Sequence, residues 1–150
     1  MISHVRDIKN SIEASIQTTL GVTYKKLAYV EDVEKNSFRT NNERFGVRAL
    51  FSGEVESVTK NPTFLHSFEI VISKAYLESN LDDEEQVEKA LDNFENMLCI
   101  YKELVNSRAG VPSIVLNVTN LQMAEPEYLV DSKVAVQRAT IDITYRFSLI

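Results

Sequence analysis

Tryptophan is absent from this 150-residue chain, and glycine (4), proline (3), histidine (2) and cysteine (1) are scarce. A single cysteine, Cys99, excludes an intramolecular disulfide. The fold must therefore rest on its apolar core. A chain of this length buries roughly 68–70% of the surface that its unfolded form exposes. One domain, residues 1–150, is expected, needing neither metal nor disulfide. None of the four glycines lies in a G-x-G or G-K-[ST] arrangement, and no G-x-S-x-G is present. Phosphate loops and nucleophile elbows are thereby excluded. The two histidines, His4 and His66, lie far apart in sequence and form no i, i+4 ligand pair. No catalytic residue, metal ligand or cofactor is expected, and the chain reads as non-enzymatic.

Basic residues are also in the minority, with 16 Lys and Arg against 22 Asp and Glu, a net charge of −6 and a pI of about 5.0. Proteins that grip nucleic acid cluster Lys and Arg against phosphates, and this balance argues against that class. It fits plain solubility, or a channel through which DNA slides without sticking. No apolar run approaches the 18 residues of a membrane span. Met1–Asn10 carries Arg6, Asp7 and Lys9 and lacks the apolar centre of a signal peptide, which points to the cytoplasm. In that compartment the sequon Asn117-Val118-Thr119 has no consequence.

What is present is hydrophobic periodicity, in a chain 44% hydrophobic and 25% charged. Val5, Ile8, Ile12, Ile16 and Leu20 recur at helical spacing, predicting a helix from Ser3, its N-cap, to Leu20, ended by Gly21. A strand is expected over Tyr24–Val30. Glu31–Arg44 is polar and rich in Asn, with Phe38 its one large apolar side chain after Val33. So long a polar stretch is expected to be mobile alone and to order against a partner, with Phe38 and Arg39 as candidate contacts. Phe45, Val47, Ala49 and Phe51 alternate as one face of a strand, and Ser52-Gly53 reads as a bulge or turn. Lys60–Thr63 is a turn signal. In Phe64–Leu77 the apolar face is Phe64, His66, Phe68, Ile70 and Ile72, and His66 reads as a packed side chain.

The carboxylates of Asp82–Glu85 suit the first turn of a helix, whose dipole they oppose, better than a metal site. That helix runs to about Arg108 and is stopped by Gly110 and Pro112. Val87, Leu91, Phe94, Leu98, Tyr101 and Val105, spaced 4-3-4-3-4, read as its core stripe, with Cys99 as a buried, inert thiol.

Two strands follow, Ile114–Met123 and Lys133–Leu149, joined by Ala124–Asp131. The last would span roughly 55 Å at about 3.3 Å per residue, far beyond the usual five or six residues. Its phase breaks. Ala139, Ile141, Ile143, Tyr145 and Phe147 share one parity, whereas Val134 and Val136 are apolar on the other. A bulge near Gln137-Arg138 would repair the register. Alternatively the strand leaves its own sheet there. Tyr128, Leu129, Val130, Val134 and Val136 then become candidate partner contacts on a projecting β-hairpin arm, Glu127–Val136. The expected class is α+β: a mixed, largely antiparallel sheet of about five strands packed with two main helices, in the order αβββαββ.

Several strings carry a family likeness: Lys35–Arg39, Arg44–Arg48, Ser113–Val118 and Ile141–Phe147. With the size and element order, they make the chain resemble the tail-terminator (tail-completion, neck) proteins of tailed bacteriophages. That resemblance implies a structural virion protein and a homohexameric ring that caps the tail tube, ends its polymerisation and meets the head-side connector. Implied partners are further copies of the chain, the tail tube protein, the connector or adaptor and, in contractile tails, the sheath. DNA only passes through the lumen, and no membrane is involved. The implied location is the virion neck, and the host cytoplasm during assembly. Two alternatives remain at this level: a head-completion protein of the same neck, and a non-viral α+β domain that binds a small ligand.

Overall fold

A computed structural model of the chain describes residues 4–33, 43–57, 62–76 and 80–146. The element order is α1 (His4–Leu20), β1 (Lys25–Lys26), α2 (Val30–Val33), β2 (Glu43–Ser57), β3 (Thr63–Ala75), α3 (Asp83–Ser107), a 3-10 turn at Arg108–Gly110, β4 (Val115–Met123), β5 (Glu127–Leu129) and β6 (Val134–Arg146). The architecture is α+β, and its six strands form one sheet in the order β1-β2-β3-β6-β4, with β5 also paired to β6. Among the described residues only the two-residue β1 pairs parallel to its neighbour.

α1 buries the expected stripe of Ile8, Ile12 and Ile16. Gly21 ends it at φ +100, donating its N–H to Gln17 O at 2.9 Å. Only glycine takes that φ without steric cost. Gln17 Nε2 then donates to both Gly21 O (2.8 Å) and Tyr24 O (2.7 Å), tying down the turn. The expected N-cap Ser3 lies outside the described residues.

The strand expected over Tyr24–Val30 shrinks to Lys25–Lys26, and Val30–Val33 is a short helix. The reason is spacing. Val30 and Val33 sit three residues apart, so one helical turn buries both, whereas a strand would point them to opposite faces. They rest on the sheet where β2 carries Gly46. A Cβ there would lie 3.0 Å from Val33 Cγ2 and 3.4 Å from Val30 Cα. Ser73 Oγ donates to Val33 O and holds α2 to the same surface. Residues 34–42, with Phe38 and Arg39 and most of the polar stretch expected to be mobile, lie outside the described residues, as do 58–61 of the turn and 147–150.

β2 and β3 pair in antiparallel register from Glu43↔Lys74 to Ser57↔Thr63, with a shift between Ala49 and Gly53 where a bulge or turn was expected. The sheet divides two cores. On one face Phe45, Val47, Phe68, Ile70, Ile72, Ile141 and Ile143 meet α1 and α3. On the other, Val30, Val33, Val71, Ala75, Val134 and Val136 form a smaller cluster, closed by Leu27 and Leu129. This second core explains the phase break of the last strand. β3 and β6 pair without a shift from Thr63↔Arg146 to Ala75↔Val134. No bulge lies at Gln137-Arg138 and the strand does not leave its sheet. Its first half is covered on both faces, so both parities are buried there, Val134 and Val136 on one side and Ala135 and Gln137 on the other. Register shifts fall instead where β4 pairs with β6, one between Val115 and Asn117 and a second between Thr119 and Gln122. Asn120 sits there at φ +57, a left-handed conformation that Asn tolerates, and its Nδ2 donates to Asp142 Oδ2 at 2.8 Å.

Candidate assembly surface

The arm expected at Glu127–Val136 is a hairpin, but it does not project. β5 pairs with β6 through Glu127↔Val136, Tyr128↔Ala135 and Leu129↔Val134, taking over the edge of the sheet where β4 stops. Val134 and Val136 are buried in the protein's own second core. Neither can meet a partner while the chain is folded, and the reading of these two residues as contacts is corrected. Leu129 packs on the same core, and Tyr128 is half-buried. Of the five, only Val130 is exposed.

Tyr128 belongs to a corner built of tyrosines. Its ring centroid lies 6.4 Å from that of Tyr76, whose face is flanked by Lys74 Nζ at 5.7 Å and Lys89 Nζ at 5.9 Å. Burial, then the charges of Asp92 and Glu43, push the Tyr76 phenol up to about 12. Burial and Glu43 raise Tyr24 to about 12 as well, against an opposing hydrogen bond from Asn96. These phenols stay protonated and neutral at ordinary pH. Tyr24 meets Asn96 in the middle of α3 and Tyr76 lies beside Lys89, and neither presents an ionised nucleophile.

α3 itself begins as expected. Asp82 caps it, its Oδ1 accepting the Glu85 N–H at 2.9 Å, and Asp83, Glu84 and Glu85 fill the first turn. It ends at Ser107, about where expected, but with Arg108 in place of Gly110 as the stop. Arg108 takes the left-handed cap position at φ 49 and donates to Leu104 O and Val105 O.

The buried face of α3 is not the expected one. Ala90, Asn93, Met97, Ile100 and Leu104 face the sheet. Asn93 Nδ2 donates to Ala135 O at 2.8 Å, a buried polar tie between helix and β6. The stripe expected in the core is largely in solvent: Val87 is 59%, Leu91 48%, Leu98 44% and Val105 40% exposed. Phe94 and Tyr101 between them are half-buried. Among the described residues seven large apolar side chains are exposed, and four of them share this one stripe. Single exposed apolar residues are ordinary, whereas a contiguous row marks an interaction surface. Cys99, expected to be buried, is exposed, in a shallow cleft shared with Thr18 and Thr19 of α1.

No protein-family model matches the chain, and no curated protein matches it. Among solved structures, the chain is similar to one described as "Virion of native gene transfer agent (GTA) particle", with a TM-score of 0.40 and 6% identity, over 93% of this chain and 92% of that one. A likeness at this level bears on no functional question.

The α3 stripe has a defined setting. α1 lies along the other flank of α3, where Thr18 and Thr19 approach Cys99, Lys102, Glu103 and Asn106. The stripe therefore turns away from α1, toward the edge of the sheet held by β4, whose Leu121 and Met123 are half-buried against the main core. A sequence signal for this surface existed, because the buried row also follows a 3-4-3-4 spacing (90, 93, 97, 100, 104). The polar Asn93 in that row concealed it.

Proposed function

We propose that the protein is a non-enzymatic structural component of a phage-type virion. It assembles as a homohexameric ring that caps the tail tube, ends its growth and joins it to the head-side connector. The observation that carries this reading is the apolar row on α3, left open on a helix whose other face already completes a core. A surface of that form serves another protein chain, since a small molecule needs concavity and converging polar groups. The resemblance of Arg44–Arg48, Ser113–Val118 and Ile141–Phe147 to tail-terminator strings supplies the kind of assembly. A cyclic ring matches the end of a tube subunit for subunit. The net charge of −6 suits a lumen that DNA crosses without being held.

Purified protein added to polymerising tail tube protein tests this. Tubes that stop growing and carry a ring at one end in electron micrographs are expected. Tubes that grow on uncapped refute the reading. Binding to portal or adaptor subunits alone would instead favour the head-completion alternative, and a monomer that takes up a small ligand the non-viral one.

A further inference from the structure

The α3 stripe and the opposite edge of the sheet are complementary, and this deepens the assembly reading above, on which it rests. β4 and β1 are the two outer strands of the sheet. The apolar row of α3 lies on the β4 side. On the β1 side stand two further exposed apolar side chains, Val22 at 95% and Tyr29 at 69%. Charges divide the same way. Glu84, Glu88 and Glu95 each lie three residues before a stripe position and so border it, with Lys102 at its far end. Between Val22 and Tyr29, β1 contributes Lys25 and Lys26, both exposed, and Lys26 is held only loosely, 3.8 Å from Glu13.

We propose that the α3 stripe of one copy docks on the Val22–Tyr29 edge of a second copy, so that copies of this chain join head to tail. Two different faces on opposite edges of one sheet make a heterologous contact, which closes into a ring when the rotation per subunit allows. The occupant is a second copy because the acidic border of one face meets the lysines of the other. Two α3 stripes facing one another would instead gather three glutamates from each side against one lysine each. From Val87 to Val105 the row extends about 27 Å at 1.5 Å per residue, long enough to form the apolar centre of a standard interface.

The test is complementation between two double variants of the full chain, Leu91→Asp with Leu98→Asp, and Val22→Asp with Tyr29→Asp, followed by sedimentation velocity up to about 1 mM, where contacts of millimolar Kd are half formed. Wild-type protein associates beyond a dimer. Each variant alone is monomeric with an unchanged melting temperature. Their equimolar mixture gives a one-to-one dimer that grows no further, since each supplies the face the other lacks. If a double variant fails to fold, the single changes Leu98→Asp and Val22→Asp replace it. A mixture that stays monomeric, an α3 variant that associates as the wild type does, or wild-type protein that stays monomeric throughout overturns the proposal. Successful complementation by a protein that leaves tail tubes uncapped would refute the tail-terminator reading and leave the head-to-tail contact standing.

Discussion

On α3 the amide of Asn93 is 2% exposed and donates to Ala135 O, while Leu91, two residues before it, is 48% exposed. A polar side chain is inside and an apolar one outside on the same turn and a half of helix. Burying Asn93 is tolerable because its amide is hydrogen-bonded to the strand. Leaving Leu91 in water is a cost that a partner surface would remove.

Replacing Asn93 with Ala is expected to destabilise the fold by about 1–3 kcal/mol. The change leaves the Ala135 carbonyl buried without this donor and opens space between α3 and β6. Chemical denaturation reads the loss, and a stability equal to wild type would show that the tie contributes nothing.

Val134→Asp combined with Val136→Asp is expected to abolish folding or to lower the melting temperature steeply. Both side chains lie in the second core, where an unpaired carboxylate costs several kcal/mol. A folded double variant with altered assembly alone would restore the projecting arm.

Gly46→Ala is expected to cost about 1–3 kcal/mol, because the added methyl meets Val33 and Val30 on a surface already in contact. Combining it with Val33→Ala, which vacates the nearest atom, is expected to cost less than the sum of the two single changes. Additive costs would mean that α2 does not press on Gly46.

Alkaline pH is expected to weaken the fold in a defined window. Tyr24 and Tyr76 ionise near 10 when unfolded and at about 12 when folded, so the native state favours the neutral phenol. Their contribution is fully present below pH 10 and is lost as pH rises through 12. Thermal unfolding should show a falling melting temperature across that range, and the fall should be smaller in Tyr24→Phe. An equal fall in that variant would assign the alkaline loss to other groups.

Cys99 is expected to react with a small aromatic disulfide reagent in the native state, at a rate within a few-fold of that in denaturant. Protection by orders of magnitude would place the thiol back in a core.

The local chemistry of the chain was enough for α1 and its glycine stop, the acidic opening of α3, the long strands of the sheet and the α+β class. Each follows from periodicity and caps that act within a few residues of themselves. The surface was not legible in the same way. Two rows on α3 carry apolar side chains at alternating spacings of three and four, rotated by about 100° from one another at 3.6 residues per turn. Either could have been the core. The row headed by Val87 is the more apolar, so sequence reasoning buries it, yet the sheet and α1 take the flank that holds Asn93. The same holds for Val134 and Val136, whose parity looked like a departing arm because nothing near them in sequence announces α2 on the far face. Periodicity is a property of one segment. Which of its faces meets water depends on what the rest of the chain brings alongside, and that was decided only when the sheet acquired a core on each face.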